Sequence, residues 1–143
     1  AGVSFTDHLY DYEEKGGTSV SARELGVDEH HVIKTLVFED DRKQPLIVLM
    51  HGDLQVSARS LARAIGARGA EPCAAPVAEK HTGYKVGGTS PFGLRKALPI
   101  YAEATIRGLE RIYINGGARG YLVGLTPDIL DQLLQPQWLV VSR

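Results

Sequence analysis

The residues Gly83-Tyr84-Lys85-Val86-Gly87-Gly88-Thr89-Ser90-Pro91-Phe92-Gly93 form the stretch most suited to binding. Several glycines close together mark positions with positive φ or a backbone that something must approach closely. Pro91 stiffens one end, and the N–H groups of Gly87, Gly88, Thr89 and Ser90 can converge on a carboxyl, carbonyl or phosphate oxygen. Clusters of Gly, Pro and Ser are also the ordinary material of turns. Two further oddities set this one apart: a second glycine cluster, Asn115-Gly116-Gly117-Ala118-Arg119-Gly120, and a lysine, Lys34, inside an apolar run.

In Val32-Ile33-Lys34-Thr35-Leu36-Val37-Phe38, a period of two puts Lys34 on the face of Val32, Leu36 and Phe38, and Thr35 on the face of Ile33 and Val37. If both faces of the sheet are covered, the ammonium is partly desolvated and needs a carboxylate or a ligand cavity. On an edge strand it would reach water instead.

Other chemistries fit less well. Gly83 and Gly88 have the Walker A separation, but Thr89 stands where the phosphate-binding lysine belongs. The second cluster does not match a dinucleotide-binding glycine pattern. His30 and His31 are adjacent and would point to opposite faces of a strand, as would Glu79 and His81, so no pair has metal-ligand spacing and no metal or cofactor is expected. Cys73 lacks a nucleophile motif and reads as a small buried residue. No G-x-S-x-G is present, which leaves Ser90 as a hydrogen-bond donor.

The elements that would position these groups are short. Strands are expected over residues 3–12, 31–39, 45–51, 98–102, 111–115, 120–124 and 137–142, with a short extended piece near 69–72. Helices are expected over 21–25, capped by Ser19 or Ser21 and stopped by Gly26; over 57–66, with a Ser57 cap and a Gly66 stop; over 76–81; and over 126–134, opened by Thr126 and Pro127. A polar turn at 15–18 precedes the first helix, and the acidic turn after Glu39 makes a hairpin of the second and third strands. This is α+β or mixed α/β, a largely antiparallel mixed sheet or partial barrel covered by a few helices, in one domain of 143 residues.

Composition is that of an ordinary globular protein, 43% hydrophobic and 23% charged. A formal net charge of −1 supplies no global field toward nucleic acid or membrane, so any RNA contact needs a local patch. A single cysteine fits a reducing cytoplasm, and no run reaches membrane-spanning length. The chain begins at Ala1 without a methionine, so a short leader removed or left outside the numbering is expected.

Taken together, Val32-Ile33-Lys34-Thr35-Leu36, the loop from Thr82 to Gly93 and Ile112-Tyr113-Ile114-Asn115-Gly116-Gly117-Ala118-Arg119-Gly120 resemble the YbaK/prolyl-tRNA-editing family of free-standing aminoacyl-tRNA deacylases. Within it they look most like the branch that clears cysteine from proline tRNA. The resemblance implies that Lys34 is the essential lysine, with Thr35 beside it, and that Gly87, Gly88, Thr89, Ser90 and Pro91 together with Asn115, Gly116 and Gly117 wall the aminoacyl pocket. Tyr10 matches a pocket tyrosine on the first strand. Asn115 stands where the family usually has serine, and residues 16–19 lack an expected phenylalanine, both of which bear on which amino acid fits.

An aminoacyl ester is already activated, so positioning and charge stabilisation can suffice for its cleavage. In the resembled branch the substrate thiol attacks its own carbonyl. The expected partners are mischarged tRNA and prolyl-tRNA synthetase. Lys80, Lys85, Arg95, Lys96 and Arg119, with Arg107 and Arg111, fall around the two loops and are either a tRNA patch or a solvated face. The alternatives are a non-catalytic module that binds an aminoacyl group or nucleotide, a deacylase for another amino acid, and a small-molecule esterase.

Overall fold

The computed structural model describes residues 5–14, 16–85 and 87–143. Lys15 of the expected 15–18 turn, Val86 of the glycine loop and the first residues of the expected 3–12 strand lie outside the described residues. The strands are β1 (Thr6–Leu9), β2 (Val32–Asp40), β3 (Pro45–His51), β4 (Ala70–Pro72), β5 (Ile100–Glu103), β6 (Ile112–Ala118), β7 (Tyr121–Leu125) and β8 (Gln137–Leu139). The helices are α1 (Gly17–Leu25), α2 (Ala58–Ile65), α3 (Ala75–Thr82) and α4 (Pro127–Leu134), with 3-10 turns at Glu29–His31 and Ala104–Gly108.

All eight strands join one mixed sheet in the order β1-β7-β6-β2-β3-β5-β8, with β4 paired to the far end of β2. The β2–β3 hairpin is antiparallel, as its acidic turn predicts, and so are β1–β7, β6–β7 and β2–β4. The shorter pairings β2–β6, β3–β5 and β5–β8 are parallel, so the sheet is mixed and largely antiparallel, as expected. These pairs join distant parts of the chain, which local periodicity does not register.

β3 is apolar from Pro45 to Met50 because it is covered on both sides. Ile47 and Leu49 join Ile33, Val37, Ile106, Ile114 and Leu130 under α3 and α4, while Leu46, Val48 and Met50 pack with Phe38 and Leu61 of α2. A third, smaller cluster of Ala22, Val32 and Leu122 seats α1. The two faces of β2 thus divide as alternation predicts, with Lys34 between the α1 and α2 clusters on one side and Thr35 on the other.

β2 also has an interrupted edge. Its pairing with β6 covers only Val32 and Ile33, and its pairing with β4 covers Phe38 to Asp40. Cys73 N–H closes onto Val37 O at 2.9 Å. Among the described residues, Lys34, Thr35 and Leu36 have no strand partner on that edge, and the sheet splits there.

Candidate functional site

A cleft of about 900 Å³ occupies the split. Because the edge of β2 is open, both of its faces reach the cleft: Lys34 and Leu36 from one, Thr35 and Val37 from the other. Tyr10, Tyr12, Thr18, Cys73, Gly87, Thr89, Asn115 and Arg119 complete much of the wall. The sequence-derived residues Lys34, Thr35, Tyr10, Gly87, Thr89 and Asn115 therefore meet in one place.

The Lys34 ammonium donates to Gly52 O at 3.4 Å. Thr18 Oγ1 donates to the same carbonyl at 3.1 Å and lies 2.7 Å from Glu29 Oε2. Burial lowers the Lys34 pKa from its ordinary value, against the opposing pull of Glu29 and Asp53. Neither carboxylate forms an ion pair with it among the described residues, so the charge is left facing the cleft. Thr35 Oγ1 is buried without a hydrogen-bond partner, the sole such side-chain atom among the described residues. A buried hydroxyl without a partner is costly, and a ligand oxygen or nitrogen in the cleft would satisfy it.

Asn115 fastens the two glycine loops together. Its Nδ2 donates to Ala118 O at 3.0 Å and Gly87 O at 3.4 Å, and its Oδ1 accepts from Gly117 N–H at 2.6 Å. Gly87, at φ +90°, lies so close to the Tyr12 ring that a Cβ there would stand 2.5 Å from the hydroxyl. Arg119 in turn stacks over Tyr12, 5.0 Å from its centroid. The glycine at 87 is thus required both by the backbone conformation and by the tyrosine behind it.

Other expected wall residues act behind the lining. Gly88 N–H donates to Lys85 O at 2.8 Å instead of facing a ligand, and the glycine is packed against the Ala118–Arg119 backbone. Ser90 is wholly buried, and its Oγ accepts from Phe92 N–H at 3.1 Å rather than donating into the cleft. Pro91 is buried, and Gly116 and Gly117 lie under the rings of Tyr121 and Tyr84. Tyr84 OH donates to Phe92 O, closing the loop from the outside. These residues shape the loop, and Gly87 and Thr89 present it.

Of the basic residues, Lys80, Lys85, Arg95, Lys96, Arg107 and Arg119 are exposed and Arg111 is half-buried. Lys96 Nζ lies 3.0 Å from His81 Nδ1, and Arg95 reaches Lys80 O at 3.5 Å, so they gather at the C-terminal end of α3, where Lys85 follows. Only Arg119 of the set lines the cleft. Arg107 lies over Trp138 and Arg111 over Tyr113, away from it.

Sequence reading missed Thr18, Gly52, Glu29 and Tyr12, which a linear pattern does not connect with Lys34. It also missed that His30, His51 and Asp53 bring ligand atoms within 4.8 Å of one another. The His30 and His51 rings are stacked 3.8 Å apart at 4°, so their in-plane lone pairs cannot converge on one ion. His51 Nδ1 and Nε2 are each 2.8 Å from a partner, His30 O and Thr105 Oγ1. Cys73 lines the cleft, but burial, with Glu39 nearby, pushes its thiol up to about 11, and it stays a protonated, poor nucleophile near neutrality.

Among the described residues the arrangement offers one ammonium, one unpartnered hydroxyl, a shaped glycine wall and no activated nucleophile. It can hold and polarise an ester more readily than it can attack one. Residues 13–133 match the family described as aminoacyl-tRNA editing domain. A protein of Enterococcus faecalis provisionally named Cys-tRNA(Pro)/Cys-tRNA(Cys) deacylase, EbsC, is 28% identical over 141 residues, covering 98% of this chain and 86% of that one. A proline–tRNA ligase of Streptococcus equi subsp. zooepidemicus is 30% identical over 129 residues, 88% of this chain but 21% of the ligase. Among solved structures, hypothetical protein APE2540 superposes with a TM-score of 0.90 at 22% identity, covering 99% of this chain and 93% of that one. A protein provisionally described as a trans-editing enzyme for prolyl tRNA synthetase gives 0.87 at 20%, covering 97% and 87%.

Proposed function

The chain belongs to the aminoacyl-tRNA editing domain family, and on that premise we propose that it is a trans-editing deacylase that cleaves the ester of mischarged tRNA, with Cys-tRNA(Pro) the favoured substrate. The observation that carries this reading is the open edge of β2. It places the Lys34 ammonium and the unpartnered Thr35 hydroxyl in one cleft whose only cysteine is held protonated.

In this reading the aminoacyl group enters beside Thr35 and the Gly87–Thr89 turn, and the terminal ribose lies toward Lys34. The cysteine thiol of the substrate attacks its own ester carbonyl. A C–S bond forms as the C–O bond to the ribose breaks, and a cyclic thiolactone leaves. The proton lost by the thiol ends on the ribose oxygen. Lys34 stabilises the alkoxide as it develops, a role in which a desolvated charge is worth more than it would be in water. The exposed bases beside the glycine loop, Lys80, Lys85, Arg95 and Lys96, together with Arg119, supply the local positive surface for the acceptor end. Prolyl-tRNA synthetase is the expected companion, because it generates such errors.

The test is release of labelled amino acid from Cys-tRNA(Pro), Ala-tRNA(Pro) and Pro-tRNA(Pro). Loss of cysteine alone supports the assignment. Loss of alanine alone would move specificity to another amino acid, with Asn115 the first residue to exchange. Release from none of the three would favour a binding module.

A further inference from the structure

A second groove, of about 480 Å³, lies between α2 and the segment leading into β4. Its floor is small, with Ala62, Ala67 and Gly69, and its sides carry Arg59, Arg63 and Arg68, all exposed. Arg59 and Arg63 are one helical turn apart, about 6 Å along the axis, on the face of α2 opposite the buried Leu61. Like charges at that spacing repel, and among the described residues no carboxylate forms an ion pair with any of the three. Asp41 Oδ1 accepts the Arg68 backbone N–H at 3.1 Å and forms no ion pair with its guanidinium.

Arg42, on the β2–β3 turn, also bonds only through its backbone N–H, but most of the other arginines have side-chain partners. Arg23 pairs with Glu13, Arg95 with a backbone carbonyl and Arg143 with Gln55, while Arg107, Arg111 and Arg119 lie over aromatic rings. Three guanidinium groups left together over a floor of alanine and glycine form a concave cationic surface that a chain of phosphates can enter closely. Gln55 and Val56 line the cleft, and Ala58, two residues further along the chain, lines the groove.

We propose that this groove is a second phosphate-binding site, holding the sugar–phosphate backbone of the tRNA body while the acceptor end occupies the cleft. This rests on the deacylase reading for the identity of the RNA. The site itself is defined by phosphate chemistry, and its test does not require turnover.

The experiment measures binding of uncharged proline tRNA across a salt series by the intact protein and by a variant carrying Arg59→Gln, Arg63→Gln and Arg68→Gln. Deacylation of Cys-tRNA(Pro) and of a minimal cysteinyl-adenosine is followed alongside. The variant should bind tRNA about tenfold or more weakly at low salt, with a slope of log K against log salt shallower by about 2 to 3. Its thermal midpoint, its rate at saturating tRNA and its action on the minimal substrate should stay unchanged. Unaltered affinity and slope would overturn the groove, as would an equal loss on the minimal substrate, or a defect confined to association with prolyl-tRNA synthetase. If tRNA binding depends on the groove but no aminoacyl-tRNA is cleaved, the groove stands and the deacylase reading falls.

Discussion

At the scale of single residues, the cleft is held by contacts that are few and specific. Asn115 makes three hydrogen bonds that tie Gly87, Gly117 and Ala118 into one wall. Asn115→Ala should cost about 1–2 kcal/mol in stability. It should raise KM for the aminoacyl-tRNA far more than it lowers kcat, because the wall loosens while Lys34 and Thr35 stay in place. Paired kinetics and urea unfolding check this, and an unchanged KM would remove Asn115 from the site. The strand face of Lys34 was legible from alternation alone, since β2 is regular and both of its faces are covered. The isolation of Thr35 Oγ1 was not, because it follows from where β6 and β4 stop pairing with β2, a fact about distant segments. Ser90 illustrates the converse: a polar residue in a glycine loop serves the backbone of the loop more often than a ligand.

At the scale of elements, the turn after β5 and the C-terminal segment share one buried anchor. Glu103, wholly buried, accepts from Val141 N–H, Ser142 N–H and Thr105 N–H at 2.8, 2.9 and 3.1 Å, and from Thr105 Oγ1 at 2.9 Å. Burial pushes its pKa up, but these donors outweigh burial and the net shift is downward. A carboxyl more acidic in the folded state contributes stability that is complete above the unfolded value of about 4.3 and is lost as pH falls through the folded value. His51, which meets Thr105 and is lowered chiefly by burial, must also gain a proton on acid unfolding and acts in the same direction. The urea midpoint should therefore fall steeply as the pH drops from about 5 to 3 in the intact protein and less steeply in Glu103→Gln. Parallel curves would contradict the anchor. Among helices, α2 was legible because Ser57 and Gly66 cap it as their types suggest. The start of α1 was not: Gly16 caps it without a side chain, while Ser19 and Ser21 bond back to carbonyls inside the first turns.

At the scale of the whole molecule, the proposed site depends on a sheet that does not close. Parallel pairing of β2 with β6 ends after two residues, and the space that follows is the cleft. Order along the chain indicated the strands, but the non-local parallel pairs that open the sheet leave no periodic signature. The near-neutral chain gathers exposed basic side chains locally, at the end of α3 and along α2, so on the proposed reading the surface for RNA is set by fold rather than by composition. On the proposed reading, ester cleavage occurs at Lys34 without a nucleophile from the protein. The most direct measurement is the single-turnover rate of cysteine loss from Cys-tRNA(Pro) with the intact protein, Lys34→Ala and Cys73→Ala. Lys34→Ala should lower the rate about a hundredfold or more, the scale of removing one preorganised charge-stabilising group, and Cys73→Ala should leave it unchanged. Full activity in Lys34→Ala, or its abolition in Cys73→Ala, would contradict it.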